Sequence, residues 1–283
     1  MQDAIMNWLR GRFEPGAGLP NPALIIGAGH HTHFSMLAAR RARGGRVVVL
    51  MKPSLPLRCF DLCIIPGHDR PHERRNVLVT QGTLTRRCPA RAKDPSSGLI
   101  LIGGPSRHFH WMDAEVADQV ASLVGHDPQR HWLVATSRRT PDGFIETLRE
   151  ELVARVPRGS VAPDSEAGLG SELSGGVKIA TWKESDDGWL AARLAVTPVV
   201  WVTEDSVSML YEALTAGAAV SLITVRRHHR NRITHGIDAL LAAGRVTTCR
   251  DWRAGKTLPV PVANLDEALR CAREILSRWS GDR

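Results

Sequence analysis

The chain has 283 residues, 43% of them hydrophobic, which suffices for one large or two ordinary domains and excludes global disorder. No apolar run approaches the roughly 18 residues that a membrane-spanning helix needs. The N-terminal stretch "MQDAIMNWLRGRFEPG" contains Asp3 and no long apolar segment, so it lacks the features of a signal peptide. We therefore expect a cytoplasmic protein whose membrane contact is at most peripheral.

The net charge of +8 is unevenly distributed. Residues 1–96 contain 15 Lys and Arg against 6 Asp and Glu, whereas the remainder contains 22 against 23. Such a field suits an anionic membrane surface, an acidic acceptor or nucleic acid, or else it is a solvated surface without a specific partner. Nucleic acid is disfavoured because the segment has few aromatic residues to stack on bases. The basic pairs that could face a membrane are Arg40–Arg41, Arg74–Arg75 and Arg86–Arg87.

Strand-like and helical segments alternate along the chain, a pattern that is typical of a parallel α/β sheet. In the first third, strands are predicted at 23–28, 46–51, 60–66 and 76–82, and a helix at 33–43. A polar stretch, "CPARAKDPSSG" (88–98), is predicted to be a linker. The alternation then begins again. Strands are predicted at 99–104, 131–137, 177–182, 198–203 and 218–223, and helices at 113–125, 142–156 and 265–279. A loop is predicted at 158–176.

This pattern predicts two α/β units joined near residue 95, with a cleft between them as the default ligand site. The first is a basic domain of residues 1–95, and the second comprises residues 96–283. Ligands of parallel α/β sheets bind at the carboxyl ends of the strands, so the loops that follow the strands are the places to look for a site.

The stretch "VTEDSVSMLYEALTAG" (202–217) places polar residues where a buried strand turns into a helix. Asp205 is expected to cap that helix, and Ser206 and Ser208 can donate to an anion at its N-terminus. Helical spacing places Asp205, Ser208 and Glu212 on one face, where Glu212 could accept hydrogen bonds from a ribose. The alternative interpretation is a simple capped helix with polar residues facing solvent.

Two further loops follow strands. "TSRRT" (136–140) offers Arg138 and Arg139 for bidentate phosphate contacts and the hydroxyls of Ser137 and Thr140, or else it is a surface arginine pair. "GGPSRHF" (103–109) begins with Gly103 and Gly104, which either line the site or form a tight turn.

Metal and dinucleotide sites are disfavoured. "IIGAGHHTH" (25–33) lacks the third glycine of the dinucleotide fingerprint, and Lys52 stands where the ribose-binding acid is needed. The crowded histidines have no acid or cysteine at ligand spacing nearby, and the five cysteines form no C-x-x-C pair. We expect no metal and no bound cofactor. "IPGHD" (65–69) offers His68 and Asp69 as a base with its orienting acid.

Four of these segments together, "FDLCIIPGHD", "LILIGGPSRHF", "TSRRTP" and "WVTEDSVSMLYEALTAGA", resemble the bacterial family related to the plant mitochondrial-fission protein whose loss gives elongated mitochondria. The resemblance runs from about Leu24 to the C-terminus. It implies a metal-independent glycosyltransferase of the GT-B type, with two Rossmann-like domains facing a cleft. The spacing of Glu212 and Gly217 is similar to the nucleotide-sugar site of the transferase that makes lipid II. That likeness assigns the ribose to Glu212 and the diphosphate to Ser206 and Ser208, with help from the arginine loop.

The resemblance implies sugar transfer from a nucleotide sugar to a lipopolysaccharide or lipid-linked acceptor, with inversion and retention both open. His31, His68 and Asp69 are the candidate bases. A non-catalytic nucleotide-binding or scaffold protein and a nucleotide-sugar epimerase are the alternatives. Family members usually begin with a further strand and a D-G-x-x-G-x-x-N/Q loop before the region equivalent to residue 20. Because the chain shows no such unit there, we expect either that the true start lies upstream or that the first domain is naturally reduced.

Overall fold

The computed structural model describes residues 2–15, 18–85, 91–155, 171–173, 177–184, 186, 188–261 and 265–279. Within these residues the helices are α1 (Gln2–Arg10), α2 (His33–Arg43), α3 (Asp113–His126), α4 (Phe144–Arg155), α5 (Trp189–Val196), α6 (Val207–Thr215), α7 (Arg232–Ala242), α8 (Cys249–Arg253) and α9 (Glu267–Trp279). The strands are β1 (Leu24–Ala28), β2 (Arg46–Leu50), β3 (Leu62–Pro66), β4 (Val77–Thr80), β5 (Ser97–Ile102), β6 (Phe109–His110), β7 (His131–Thr136), β8 (Ser171–Leu173), β9 (Val177–Ala180), β10 (Val199–Thr203), β11 (Ala219–Ile223), β12 (Arg226–Arg227) and β13 (Thr247–Thr248).

Every predicted strand and helix that lies in the described residues forms, and the α/β class is confirmed. The reason is local consistency: apolar runs of strand length alternate with longer segments of helical period. The Arg86–Arg87 pair, Cys88 and most of the predicted loop at 158–176 lie outside the described residues.

The chain divides into two compact units, residues 1–84 with 267–283 and residues 85–266. The predicted boundary at residue 95 therefore lies inside the second unit. The final helix, α9, was predicted in the second domain but belongs to the first unit. The physical reason is its apolar face: Cys271 and Ile275 are buried in a cluster with residues of β2 and β3.

The first unit contains a parallel sheet in the order β1-β2-β3-β4. Successive side chains of a strand point to opposite faces, so each strand serves two clusters. On one face, Val47 and Val49 pack with Met36 of α2. On the other, Val48 packs with Cys271 and Ile275 of α9. Both faces of the sheet are thus covered by helices, as buried parallel strands require.

Glu267 fixes the start of α9. Its carboxylate accepts a hydrogen bond from the Gln81 amide at 3.0 Å and pairs with Arg270 at 2.6 Å. Burial raises the pKa of this carboxyl, but the hydrogen bonds from Arg270 and Gln81 outweigh it and hold the pKa below its ordinary value.

The second unit contains a seven-stranded sheet in the order β13-β11-β10-β5-β7-β9-β8, parallel except for β8. β5 and β10 are hydrogen-bonded neighbours at its centre, with Val200 opposite Leu99. From β5 the chain proceeds outward through β7 and β9, then returns to β10 and proceeds outward on the other side. The boundary between β5 and β10 is therefore the topological switch point, where such sheets bind ligands.

Candidate functional site

The loops that follow β5 and β10 meet at the carboxyl edge of the second sheet and are joined by direct hydrogen bonds. The Gly103 amide donates to Thr203 Oγ1 at 2.7 Å, and the Gly104 amide donates to Asp205 Oδ2 at 2.9 Å. Two polar segments that the sequence analysis selected separately thus form one structure at the switch point.

Asp205 does not cap α6, contrary to the prediction. The helix begins after Ser206, and no side-chain capping bond is present there. The side chain of Asp205 is instead fully buried, and its carboxylate is paired with Arg139. Burial raises the pKa of the Asp205 carboxyl. Hydrogen bonds from Gly104 and Thr203 and the Arg139 charge act in the opposite direction but do not outweigh the effect of burial. Its tertiary partners turn this carboxylate away from the helix N-terminus.

Gly103 and Gly104 are required by close packing. A Cβ atom on Gly103 would overlap the Asp205 carboxylate, and one on Gly104 would overlap the backbone carbonyl of Arg139. Of the two interpretations made from the sequence, the structure shows the tight, packed turn; nucleotide binding by this turn stays a prediction.

The loop after β7 is bound to the same turn. Ser137 and Thr140 donate their hydroxyl protons to the Gly103 carbonyl at 3.0 and 2.6 Å, and Arg139 donates to the Gly104 carbonyl at 3.0 Å. Three of the four predicted anion donors are therefore occupied within the protein. Arg138 is exposed and makes no hydrogen bond or ion pair in the described part of the chain, which leaves it available to a ligand.

The start of α6 carries the remaining predicted residues. Ser206 is buried, Ser208 is exposed, and Leu210 and Leu214 are buried in the core. Glu212 is partly buried, and among the described residues its carboxylate has no hydrogen-bond or ionic partner. Burial alone raises the pKa of this carboxyl. A partly desolvated carboxylate without donors is suited to accept hydrogen bonds from a ligand.

The sequence analysis missed a second ion network beside the switch point. Glu204 pairs with Arg227 at 2.5 Å, and Arg227 also pairs with Asp238 at 2.6 Å. Arg227 lies in β12, which forms a two-stranded antiparallel ribbon with β6. The available signal was Glu204 itself, because a charge next to a fully apolar strand needs a partner.

The candidate bases lie in the first unit, at the carboxyl ends of its strands. His31 is exposed in a 3₁₀ turn after β1, where it stacks on His30 with ring centroids 3.8 Å apart. His68 and Asp69 lie in another 3₁₀ turn, after β3, and Asp69 is buried. Two separate strands therefore carry these residues, and β2 lies between them in the sheet.

Among the described residues, no group of three or more His, Cys, Asp or Glu is placed to hold a metal ion. In the same part of the chain, no helix is long and apolar enough to cross a membrane.

A family model for mitochondrial fission ELM1 matches residues 2–279. The chain belongs to this family. The resemblance found in the four sequence segments is therefore confirmed over nearly the whole chain. No curated protein matches the chain in sequence.

Solved structures with a similar arrangement include the MurG protein of Acinetobacter baumannii, with 13% identity, coverage of 87% of this chain and 64% of that chain, and a TM-score of 0.45. Another is the S. aureus MnaA–UDP co-structure, with 11% identity, coverage of 95% and 71%, and a TM-score of 0.44. A third is the accessory secretory protein 1, 2 and 3 structure from Streptococcus pneumoniae, with 9% identity, coverage of 77% and 45%, and a TM-score of 0.44. The chain spans about half to two thirds of the length of most of these proteins.

Proposed function

We propose that the protein is a GT-B-type glycosyltransferase that binds a nucleotide-sugar donor at the switch point of its second unit. The observation that carries this proposal is the joining of three polar loops, after β5, β7 and β10, at the carboxyl ends of neighbouring strands. Membership of the family supports it, since the motifs that carry the family resemblance are largely these same loops.

The proposal assigns each residue a contact. Arg138 binds the diphosphate, because it is an exposed cation without a partner in the part of the chain that the structure describes. Ser208 and the first amides of α6 add donors at the positive end of the helix dipole. Glu212 accepts hydrogen bonds from the ribose hydroxyls. Arg139 is a positioning residue, because its guanidinium is used to join Gly104 to Asp205.

In the proposed reaction, the acceptor hydroxyl oxygen forms a bond to the anomeric carbon of the donor sugar, and the bond from that carbon to the diphosphate breaks. The leaving diphosphate gains negative charge, which Arg138 and the α6 dipole stabilise. The hydroxyl proton passes to a base, for which His31 and the His68–Asp69 pair are the candidates. The chemistry proposed here uses no resident cofactor.

The proposed acceptor is a lipopolysaccharide or lipid-linked envelope intermediate. It is favoured by the concentration of positive charge in residues 1–96, with 15 Lys and Arg against 6 Asp and Glu. Such a field attracts acidic acceptors and the anionic leaflet in which lipid-linked acceptors reside.

A thermal-shift screen with nucleoside diphosphates and nucleotide sugars tests the donor site. A ligand at 100 times its Kd adds roughly 2.7 kcal/mol of stability. The matched variants are Glu212→Gln and, on an exposed face of α4, Glu146→Gln. We expect the first to reduce the ligand-induced shift and the second to leave it unchanged.

Turnover assays then separate the alternatives. Sugar transfer to an envelope acceptor supports the transferase. Nucleotide binding without turnover indicates a binding or scaffold protein, and sugar interconversion without an acceptor indicates an epimerase. Absence of any nucleotide-induced shift would contradict the donor site itself.

A further inference from the structure

The first unit contains a basic pocket at the amino edge of its sheet, opposite the edge that carries His31 and His68. The pocket has a volume of about 500 Å³ and lies where β2, β3 and β4 begin and α9 ends. Its lining comprises five arginines, one acid, an amide and an indole: Arg46, Arg58, Arg74, Arg75, Arg278, Asp61, Asn76 and Trp279.

The single acid in the lining cannot neutralise these arginines. Asp61 is already shared, because it lies 3.5 Å from Arg40 and 3.9 Å from Arg46 and accepts a hydrogen bond from the Val47 amide at 2.7 Å. Arg278 pairs with Glu274 at 2.8 Å.

Within the described part of the chain, three cations of the pocket have no ion-pair partner. Arg58, Arg74 and Arg75 are exposed, and their guanidinium groups contact no carboxylate among the described residues. The pocket therefore holds an excess of positive charge that an anion would neutralise. Guanidinium groups bind phosphate oxygens in bidentate geometry, so a phosphate is the anion that these side chains suit best.

An apolar groove of about 940 Å³ adjoins this pocket. Its apolar lining consists of Pro22, Ala23, Leu24, Ile275, Leu276 and Trp279. Leu276 is 61% exposed, although it lies on the same helix as the buried Ile275. The groove shares Arg46, Asp61 and Trp279 with the basic pocket, so apolar and cationic surfaces are continuous.

We propose that the pocket and groove together bind an anionic phospholipid of a membrane leaflet. The phosphate occupies the basic pocket, the acyl chain occupies the groove, and Trp279 lies at the boundary, where an amphipathic indole is favoured. A soluble phosphate compound would use the pocket but would leave Leu276 in water. The continuity of the apolar groove with the pocket therefore favours a lipid. This inference does not depend on sugar transfer, because it concerns the other edge of the first sheet.

Vesicle flotation with the full chain tests the proposal, using phosphatidylglycerol-containing and pure phosphatidylcholine vesicles. The charge variant is Arg74→Gln/Arg75→Gln, and its charge-matched control is Arg149→Gln/Arg250→Gln, at exposed positions of the second unit. We expect anionic vesicles to retain the parent and the control, and the charge variant to lose about tenfold or more in partitioning. Retention should also fall at 1 M salt, where the Debye length is about 3 Å.

The apolar part is tested by Leu276→Gln, a substitution at an exposed position that leaves every charge in place. We expect weaker retention on anionic vesicles but an unchanged thermal shift with inorganic phosphate. Equal retention of the charge variant and its control would overturn the proposal, as would equal binding to both vesicle types. A phosphate shift without vesicle binding would assign the pocket to a soluble phosphate instead, and full retention of Leu276→Gln would contradict the binding of an acyl chain in the groove. Circular dichroism melting of each variant verifies that it is folded.

Discussion

The guanidinium of Arg139 lies 2.8 Å from Oδ2 of Asp205, a carboxylate whose side chain is fully buried. The same oxygen accepts a hydrogen bond from the Gly104 amide, so a single carboxylate joins the loops after β5, β7 and β10. From the sequence, Arg139 was selected as a phosphate ligand and Asp205 as the cap of α6. In the structure the two side chains pair and join the three loops, whereas Arg138 is exposed and has no partner among the described residues.

Arg139→Gln should destabilise the protein, whereas Arg138→Gln should not. Removal of Arg139 leaves the Asp205 charge without its cation, and we expect a loss of about 1–3 kcal/mol, as for a buried group left unsatisfied. Arg139 is 41% exposed, so solvent moderates the effect. Urea denaturation of both variants at pH 7 measures the difference, and nucleotide binding should show the reverse order. Equal stability of the two variants would refute this role of Arg139.

The effect of Arg139→Gln should also depend on pH. Burial raises the pKa of the Asp205 carboxyl above its ordinary value of 3.8 in the folded state, and loss of the cation raises it further. When folding raises the pKa of a carboxyl group, its protonated form stabilises the folded state at pH values below the pKa of the unfolded chain. This stabilisation is lost as the pH rises through the pKa of the folded state. The variant should therefore approach the parent in stability as the pH falls, and a constant difference from pH 7 to pH 4 would contradict this.

Gly104→Ala should be far more damaging than Gly143→Ala. A Cβ on Gly104 would overlap the Arg139 backbone carbonyl, which cannot move without breaking the loop, whereas one on Gly143 would meet nothing within 4 Å. We expect a loss of about 1–3 kcal/mol for Gly104→Ala, typical of overpacking, and little change for Gly143→Ala. Thermal melting compares them. A well-tolerated Gly104→Ala would show that the turn can relax.

The sequence was sufficient for most of the longer strands and helices, and the place of the site stays a prediction. Apolar runs such as 99–102 and 199–203 predict buried strands, and polar loops at their carboxyl ends indicate the binding edge. It could not assign Asp205, because a side chain two residues before the first helical residue can cap the helix or turn to a tertiary partner, and the chain supplies no local signal that decides between them. The partner, Arg139, lies 66 residues away.

The domain assignment of α9 failed for a similar reason. Chain continuity suggested that the helix belongs with the preceding strands, but Cys271 and Ile275 pack on the sheet of the first unit. The ribbon of β6 and β12 was missed because each strand has only two residues, too few to show an alternating pattern.

Glu212→Gln should stabilise the protein and weaken nucleotide binding. Burial raises the pKa of the Glu212 carboxyl above 4.5, so the charge opposes folding as the pH rises through that range. The glutamine amide carries no charge and removes this cost. We therefore expect the free energy of unfolding to rise by about 0.5–2 kcal/mol at pH 7, and this difference from the parent to disappear below about pH 4. Loss of a charged hydrogen bond to the ribose should weaken nucleoside diphosphate binding by about 1–3 kcal/mol.

Urea denaturation at pH 7 and pH 4 and isothermal titration with nucleoside diphosphates measure the two effects of Glu212→Gln. The exposed Glu146→Gln serves as the control: nucleotide binding should be unchanged, and because Glu146 lies in the first turn of α4, a small loss of stability of about 0.3–1 kcal/mol is expected and no gain. A stabilised variant that binds as tightly as the parent would remove Glu212 from the donor site. A destabilised variant would show that the carboxylate has a structural partner.

Arg227→Met should be the most destabilising single change near the switch point. Glu204 is 4% exposed, and Arg227 pairs with it at 2.5 Å while also pairing with Asp238 at 2.6 Å. Removal of the cation leaves a buried, uncompensated carboxylate, for which about 3–5 kcal/mol is typical. The adjacent Arg226→Met is the matched control, since Arg226 is exposed on the same two-residue strand and should tolerate the change.

Glu204→Gln in the Arg227→Met background tests this explanation directly. Because the amide carries no charge, the double variant should recover a large part of the lost stability, and the rescue should be greatest at neutral pH. Burial raises the pKa of the Glu204 carboxyl, so at low pH this group is protonated in the single variant and the two variants should converge. Urea denaturation from pH 7 to pH 4 gives both comparisons. If the double variant is no more stable than Arg227→Met at pH 7, the damage comes from lost packing of the arginine side chain, and the ion pair is not what holds the β12 segment to the end of β10.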